Sequence, residues 1–253
     1  MRKTAKQLMF LFAAGLILQG CHSMKTNQAA DYVAEKGSHV EKETTGVWAI
    51  EPDPNLPNVL LLGDSISIGY TLGVREELAN QANVFRPHRN GGKKPENCQG
   101  TSYSIKHLDR WLGDRKWQVI HFNWGLHDLK HVHSDSGKNS NNFDDPRQSE
   151  PEIYRANLIQ LVNRLQATGA KLIFATTTPY PVGVKPARLP DDAELYNSIA
   201  KQIMNQRNIQ INDLYAQALP KLNEVQLPIN VHFNKRGREL QAQAVSKVIQ
   251  GNL

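Results

Sequence analysis

The chain has 253 residues, 40% hydrophobic and 21% charged, which supports a packed core and argues against wholesale disorder. Its formal net charge is +6, but setting aside Arg2, Lys3 and Lys6 at the start leaves 27 of the 30 basic residues against 24 acidic ones. That excess is too small for a nucleic-acid partner, given no arginine-rich helix or aromatic RNA-binding motif, and two cysteines exclude a disulfide framework.

Residues 1–20 read as a signal peptide: a basic start, then an apolar run from Leu8 to Leu18, too short to span a bilayer. Leu18-Gln19-Gly20-Cys21 resembles a bacterial lipoprotein cleavage box, although Gln19 is unusual at its place. The resemblance implies that Cys21 becomes the lipidated first residue of the mature chain. The membrane is then a partner through the N-terminal lipid anchor, and the location is the bacterial cell envelope, facing the periplasm or outside. The alternative is a plain secretory signal. With Cys21 acylated, Cys98 stands alone and forms no internal disulfide. Residues 21–55 read as a polar tether, of which Val47, Trp48 and Ile50 are apolar enough to pack on the domain that follows, residues 56–253.

Within that domain strands and helices alternate. "NVLLLGDS" reads as a buried strand and "IGYTLGVREELANQ" as a helix. "ANVFRP" is a short second strand; "SYSIKHLDRWLGD" carries Ile105, Leu108 and Leu112 at helical spacing. "WQVIHFNWG" is a third strand. "HSDSGKNSNNFDDPRQSEP" reads as a mobile polar surface loop. "PEIYRANLIQLVNRLQATG" is a strong helix, with Gly169 where a C-terminal cap belongs. "AKLIFATTTP" is a fourth strand, "DDAELYNSIAKQIMNQRN" a helix, "IQINDL" a fifth strand, and "NKRGRELQAQAVSKVIQGN" the closing helix. This alternation predicts an α/β fold, a three-layer α/β/α arrangement on a five-stranded, mainly parallel, flavodoxin-like sheet. Ligands of such sheets bind beyond the C-terminal ends of the strands. Ser65, Gly125, Asp128 and Thr176–Thr178 all fall there.

Taken in order, the rim residues are Gly63-Asp64-Ser65, Gly100 in "CQGTS", Gly125-Leu126-His127-Asp128, and His232 before the last helix. This pattern resembles the SGNH (GDSL) hydrolase family over about residues 56 to 250. The resemblance implies that Ser65 is a nucleophile and His232 its base. It implies an oxyanion hole of the Ser65 N–H, the Gly100 N–H and a donor at His127. A serine hydroxyl needs a base to become nucleophilic, and the negative charge that builds on an ester carbonyl needs fixed donors. No cofactor is required. Asp64 and Asp128 read as structural rim residues.

Two positions depart from the family. His127 stands where asparagine is usual, and a histidine N–H donates only in the right tautomer or when protonated. The acid expected three residues before the base would stand at Ile229, and its neighbour Asn230 carries no charge. Asn230 is a candidate for orienting His232 as a neutral acceptor, but the family spacing makes position 229 the one expected to face the ring.

Other signals read as follows. "HDLKHVH" invites a metal site, but His131 and His133 read as surface histidines and no metal is expected. Trp124 is either core or a stacking platform, and Thr176–Thr178 shape a pocket floor. Arg86, Arg89, Lys93 and Lys94 form a local basic loop. The function expected is an ester hydrolase working through an acyl-enzyme on Ser65 and removing acetyl groups from a saccharide. The alternatives are a lipase, thioesterase or arylesterase type of carboxylic ester hydrolase, or a carbohydrate-binding pseudoenzyme. For the anchor, Cys21→Ser is expected to move the protein from the membrane to the soluble fraction; unchanged fractionation contradicts the lipoprotein reading.

Overall fold

The computed structural model describes residues 46–253. The expected signal peptide, Cys21 and the first part of the expected tether lie outside the described residues. The last ten residues of the expected tether are docked, which moves the start of the packed chain back from 56. Gly46 and Trp48 donate to the carbonyls of Gly91 and Gly92 at 2.9 and 3.0 Å. Arg75 holds the Val47 and Trp48 carbonyls at 2.8 and 3.0 Å. These bonds satisfy backbone groups that a free tether would leave to water.

The first strand, β1 (Asn58–Leu62), is buried from Val59 to Leu62. A parallel strand covered on both faces needs an unbroken apolar run, and "VLLL" supplies it. The helix α1 (Ser65–Glu77) and strand β2 (Asn83–Phe85) follow. Next come two short strands, β3 (His88–Arg89) and β4 (Lys94–Pro95), paired with each other, and then α2 (Thr101–Leu112). The strand β5 (Val119–Phe122) is buried throughout. It is followed by α3 (Pro151–Gln166), β6 (Lys171–Ala175), α4 (Pro190–Gln206) and β7 (Gln210–Asn212). Two short helices, α5 (Leu214–Ala218) and α6 (Leu222–Val225), lead to the closing α7 (Lys235–Gln250).

The main sheet has the order β2-β1-β5-β6-β7 and every pair in it is parallel. Helices α1 and α7 pack on each other, and α2, α3 and α4 pack in series. This is the flavodoxin-like order, in which the chain leaves β1 to one side for β2 and to the other for β5. The split between β1 and β5 opens a crevice at the strands' C-terminal ends. Ser65 and His127–Asp128 follow those two strands directly.

Three expectations change. Helix α1 begins at Ser65 itself, three residues before the predicted start, because Asp64 caps it. Helix α3 ends at Gln166, and Gly169 stands in the turn beyond it with φ +73°. The loop at 133–151 is pinned rather than mobile. Bridges join His131 to Arg147 and Val132 to Asn139, and Arg147 makes two 2.8 Å hydrogen bonds to Asp192.

Candidate active site

The turn that carries Ser65 is built around buried polar contacts. At Gly63 a Cβ would stand 2.8 Å from Ser67 Oγ, so the turn has no room for a larger residue. Asp64 is buried, and its Oδ1 accepts from Ile66 N at 2.9 Å, as a helix N-cap does. Ser65 N–H, one position earlier, donates to no acceptor among the described residues. Beneath the turn lies Arg86, 2% exposed. It donates to the Gly63 carbonyl and to Ser67 Oγ, each at 2.8 Å, to Thr71 Oγ1 at 3.1 Å and to the Glu96 carbonyl at 3.2 Å.

The basic loop read from the sequence is therefore mostly structural. Arg86 points inward, and Arg89 pairs with the buried Glu96 at 3.0 Å. Arg110 reaches the same carboxylate at 2.7 Å. Burial opposes the charge on Glu96, but hydrogen bonds and charge from Arg110 and Arg89 outweigh it and hold the carboxyl at about 2.

His232 Nε2 lies 2.9 Å from Ser65 Oγ. On the other side of the ring, Nδ1 lies 2.7 Å from Asn230 Oδ1, and that same oxygen accepts from the His232 backbone N–H at 3.0 Å. A backbone N–H can only donate, so the Asn230 atom facing it is the oxygen and not the amide nitrogen. The oxygen must then accept from Nδ1–H as well, which leaves Nε2 unprotonated and able to take the Ser65 proton. The family spacing had pointed to position 229 instead. Ile229 is 68% exposed and adopts φ +48°, a rare conformation for a β-branched residue. That turn carries its side chain outward, toward Gly183, and presents Asn230 to the ring.

Gly100 is the N-cap of α2, and its N–H also has no acceptor among the described residues. Asp128, fully buried, holds this helix end: its Oδ1 accepts from Thr101 N at 2.9 Å and from Thr101 Oγ1 at 2.5 Å. His127 is half-buried. Burial, aided by the charges of Lys130 and Arg188, pushes its pKa down to about 3, so the ring is neutral at physiological pH and carries one N–H. Its Nδ1 is buried without a partner among the described residues, which leaves Nε2 as the nitrogen available to a ligand. Arg188, which no motif marks, is 4% exposed and donates from Nε to the Leu126 carbonyl at 3.0 Å, next to His127.

Other candidates fall elsewhere. Trp124 is fully buried, and its carbonyl accepts from Tyr154 Oη at 2.8 Å, so it is core and offers no stacking face. His131 is buried, not at the surface, with Nδ1 2.6 Å from the Asp145 carbonyl. His133 is half exposed and lies 3.1 Å from Asp145 Oδ2. Thr176–Thr178 are buried beneath Asp64 and Ser67. A cavity of about 360 Å³ opens at Ser65 and His232, walled by Ile66, Ile68, Leu227, Phe233, Arg238 and Gln241. A larger one, about 580 Å³ between β2 and the end of α2, contains neither Ser65 nor His232.

With this geometry in view, the model of the GDSL-like lipase/acylhydrolase family matches residues 61–240. Among solved structures, the lipase/acylhydrolase from Enterococcus faecalis is 20% identical with a TM-score of 0.61, covering 77% of this chain and 96% of that one. The acetyl xylan esterase AlAXEase is 15% identical with a TM-score of 0.60, covering 76% and 99%. A GDSL-like lipase from Bacteroides thetaiotaomicron is 12% identical with a TM-score of 0.57, covering 81% and 93%. At these identities the likeness is one of fold. Comparison with curated proteins finds no match in sequence.

Asp128 gives the site a pH signature. Burial raises its carboxyl from 3.8 to about 6, against the hydrogen bonds from Thr101. A carboxyl with a raised native pKa binds its proton more tightly folded than unfolded. Its contribution to stability is therefore present below about pH 4 and is lost as pH rises through about 6. Asp128→Asn keeps an acceptor for Thr101 and never ionises. The variant should match wild type in thermal or urea denaturation at pH 4 and exceed it by about 3 kcal/mol at pH 7. A stability gap that does not change with pH contradicts this assignment.

Proposed function

The chain belongs to the GDSL-like lipase/acylhydrolase family, and on that premise we propose that Ser65 is its nucleophile and His232 its general base, acting on acetyl esters of a saccharide. The observation that carries the reading is the chain of contacts from Ser65 Oγ to His232 Nε2 at 2.9 Å and from Nδ1 to Asn230 Oδ1 at 2.7 Å. Ser65 Oγ attacks the ester carbonyl as its proton passes to Nε2. The imidazolium keeps its Nδ1–H on Asn230. The free N–H groups of Ser65 and Gly100, with His127 Nε2–H, receive the oxyanion. The proton on Nε2 then goes to the leaving alkoxide, and a water repeats the sequence in reverse to free the acid and Ser65.

For the acyl group and alcohol, the support is narrower. A cavity of about 360 Å³ suits a compact ester with a sugar ring on one side, and an acetyl xylan esterase shares the fold. Trp124 and Arg86 lend no support, since both are buried. A second reading, a longer acyl or aryl ester, is favoured by the apolar walls at Ile66, Ile68, Leu227 and Phe233. The proposal also places the enzyme at the bacterial cell envelope, held through an acylated Cys21.

Turnover of p-nitrophenyl esters from acetate to octanoate, beside acetylated oligosaccharides, tests both parts. Ser65→Ala should cut kcat on every hydrolysed ester by about 1000-fold or more, and retention of a tenth of wild-type kcat overturns the nucleophile. Acetylated oligosaccharides should give the highest kcat/KM. A kcat/KM that climbs with acyl length instead favours the second reading, and no turnover of any ester by wild type favours a pseudoenzyme.

A further inference from the structure

The cavity at Ser65 and His232 carries a charge that the hydrolytic chemistry does not use. Among the described residues no Asp or Glu lines it, and its one charged side chain is Arg238, on the first turn of α7. Two other cations of that turn are paired: Lys235 with Glu239 at 3.6 Å and Arg236 with Glu224 at 3.3 Å. Arg238 makes no ion pair and no side-chain hydrogen bond among the described residues. Its stem is nevertheless seated. A Cβ at Gly69 would stand 3.1 Å from Arg238 Cδ and 3.5 Å from Cγ, so the bare backbone of Gly69 makes the notch in which the stem lies. Ordering the stem there lowers the entropy that a free arginine would lose on gripping a ligand. One turn further in, Gln241 is 5% exposed, walls the same cavity, and has neither amide atom bonded among the described residues.

We propose that this cavity takes an anionic part of the substrate, a carboxylate or sulfate gripped by Arg238, so that the enzyme selects esters of acidic molecules over neutral ones. This rests on Ser65 and His232 being the reacting pair. A guanidinium presents parallel N–H donors that match the two oxygens of a carboxylate or sulfate, and a neutral hydroxyl cannot match them. Gln241, on rotation of its side chain, supplies a donor and an acceptor to the group beside the anion. On a saccharide, the acid is a uronate carboxylate or a sulfate ester.

The test uses small acetates that require no saccharide: 4-acetoxybenzoate, 4-acetoxybenzenesulfonate and the neutral methyl 4-acetoxybenzoate. The reading is the ratio of kcat/KM for each anion to that for the neutral ester, in wild type, Arg238→Gln and Arg238→Lys. Arg238→Gln should lower the ratio about tenfold or more, with Arg238→Lys between, and added salt should shrink the wild-type ratio but not that of Arg238→Gln. Preference for the carboxylate points to a uronate and for the sulfonate to a sulfated sugar. An unchanged ratio in Arg238→Gln overturns the proposal. Calorimetric binding of 4-hydroxybenzoate and 4-hydroxybenzenesulfonate separates the two layers. If wild type hydrolyses none of the esters yet binds these anions, and Arg238→Gln does not, the reacting pair is wrong and the anion site stands. Equal binding by both proteins removes the anion site.

Discussion

One oxygen atom, Oδ1 of Asn230, accepts from both the backbone and the side chain of His232, and the chemistry proposed for the site depends on that pair of hydrogen bonds. A neutral amide beside a catalytic histidine is ordinarily a defect, because it can turn its NH₂ to the ring and select the wrong tautomer. In serine proteases the change from Asp to Asn costs about 10⁴ in kcat for this reason. Here the backbone N–H of His232 holds the amide the right way round. What the asparagine still lacks is charge. It orients the imidazole and fixes its tautomer, but offers the imidazolium less stabilisation than a carboxylate would. The site is thus geometrically complete and electrostatically mild.

The fold keeps that geometry by burying polar groups under it. Asp64 caps α1, Asp128 holds the start of α2, and Arg86 ties the Gly63 carbonyl to the first turns of α1. None of the three is placed to react with a substrate. Each is buried where an unpaired polar group would be costly, and each bonds to the backbone of the turns that carry Ser65 and Gly100, although Arg86 Nε and Asp128 Oδ2 find no partner among the described residues. The sheet order sets these turns at the one crevice where β1 and β5 part. The result is a rim whose N–H groups at Ser65 and Gly100 have no acceptor among the described residues.

Much of this was legible in the sequence because it is local. An apolar run that stops at Gly63-Asp64-Ser65 reads as a buried strand feeding a helix, and five such strand–helix alternations specify the parallel sheet. What was not legible depends on the path of the chain in space. Spacing counts residues along the loop before α7, but the positive φ of Ile229 turns the chain and brings residue 230 to the ring. Arg86 reads as one of a run of surface cations, yet it follows β2 immediately and so points under α1. His131 looks exposed in a polar context, but a long loop pinned by Arg147 covers its neighbourhood, and the choice between core and platform that Trp124 left open is decided by its complete burial. Arg238 and Arg188 have no motif; only the packing of α7 on α1, and of residues 186–188 on Leu126, brings them to the site.

The tautomer of His232 tests the account most directly. Nitrogen-15 NMR of the histidine side chains, assigned with a His232→Gln variant and read where the ring is neutral, distinguishes a protonated from an unprotonated ring nitrogen. The structure predicts a protonated Nδ1, bonded to Asn230, and an unprotonated Nε2 facing Ser65. A protonated Nε2 with an unprotonated Nδ1 would mean that Asn230 presents its NH₂ to the ring, and would contradict the account.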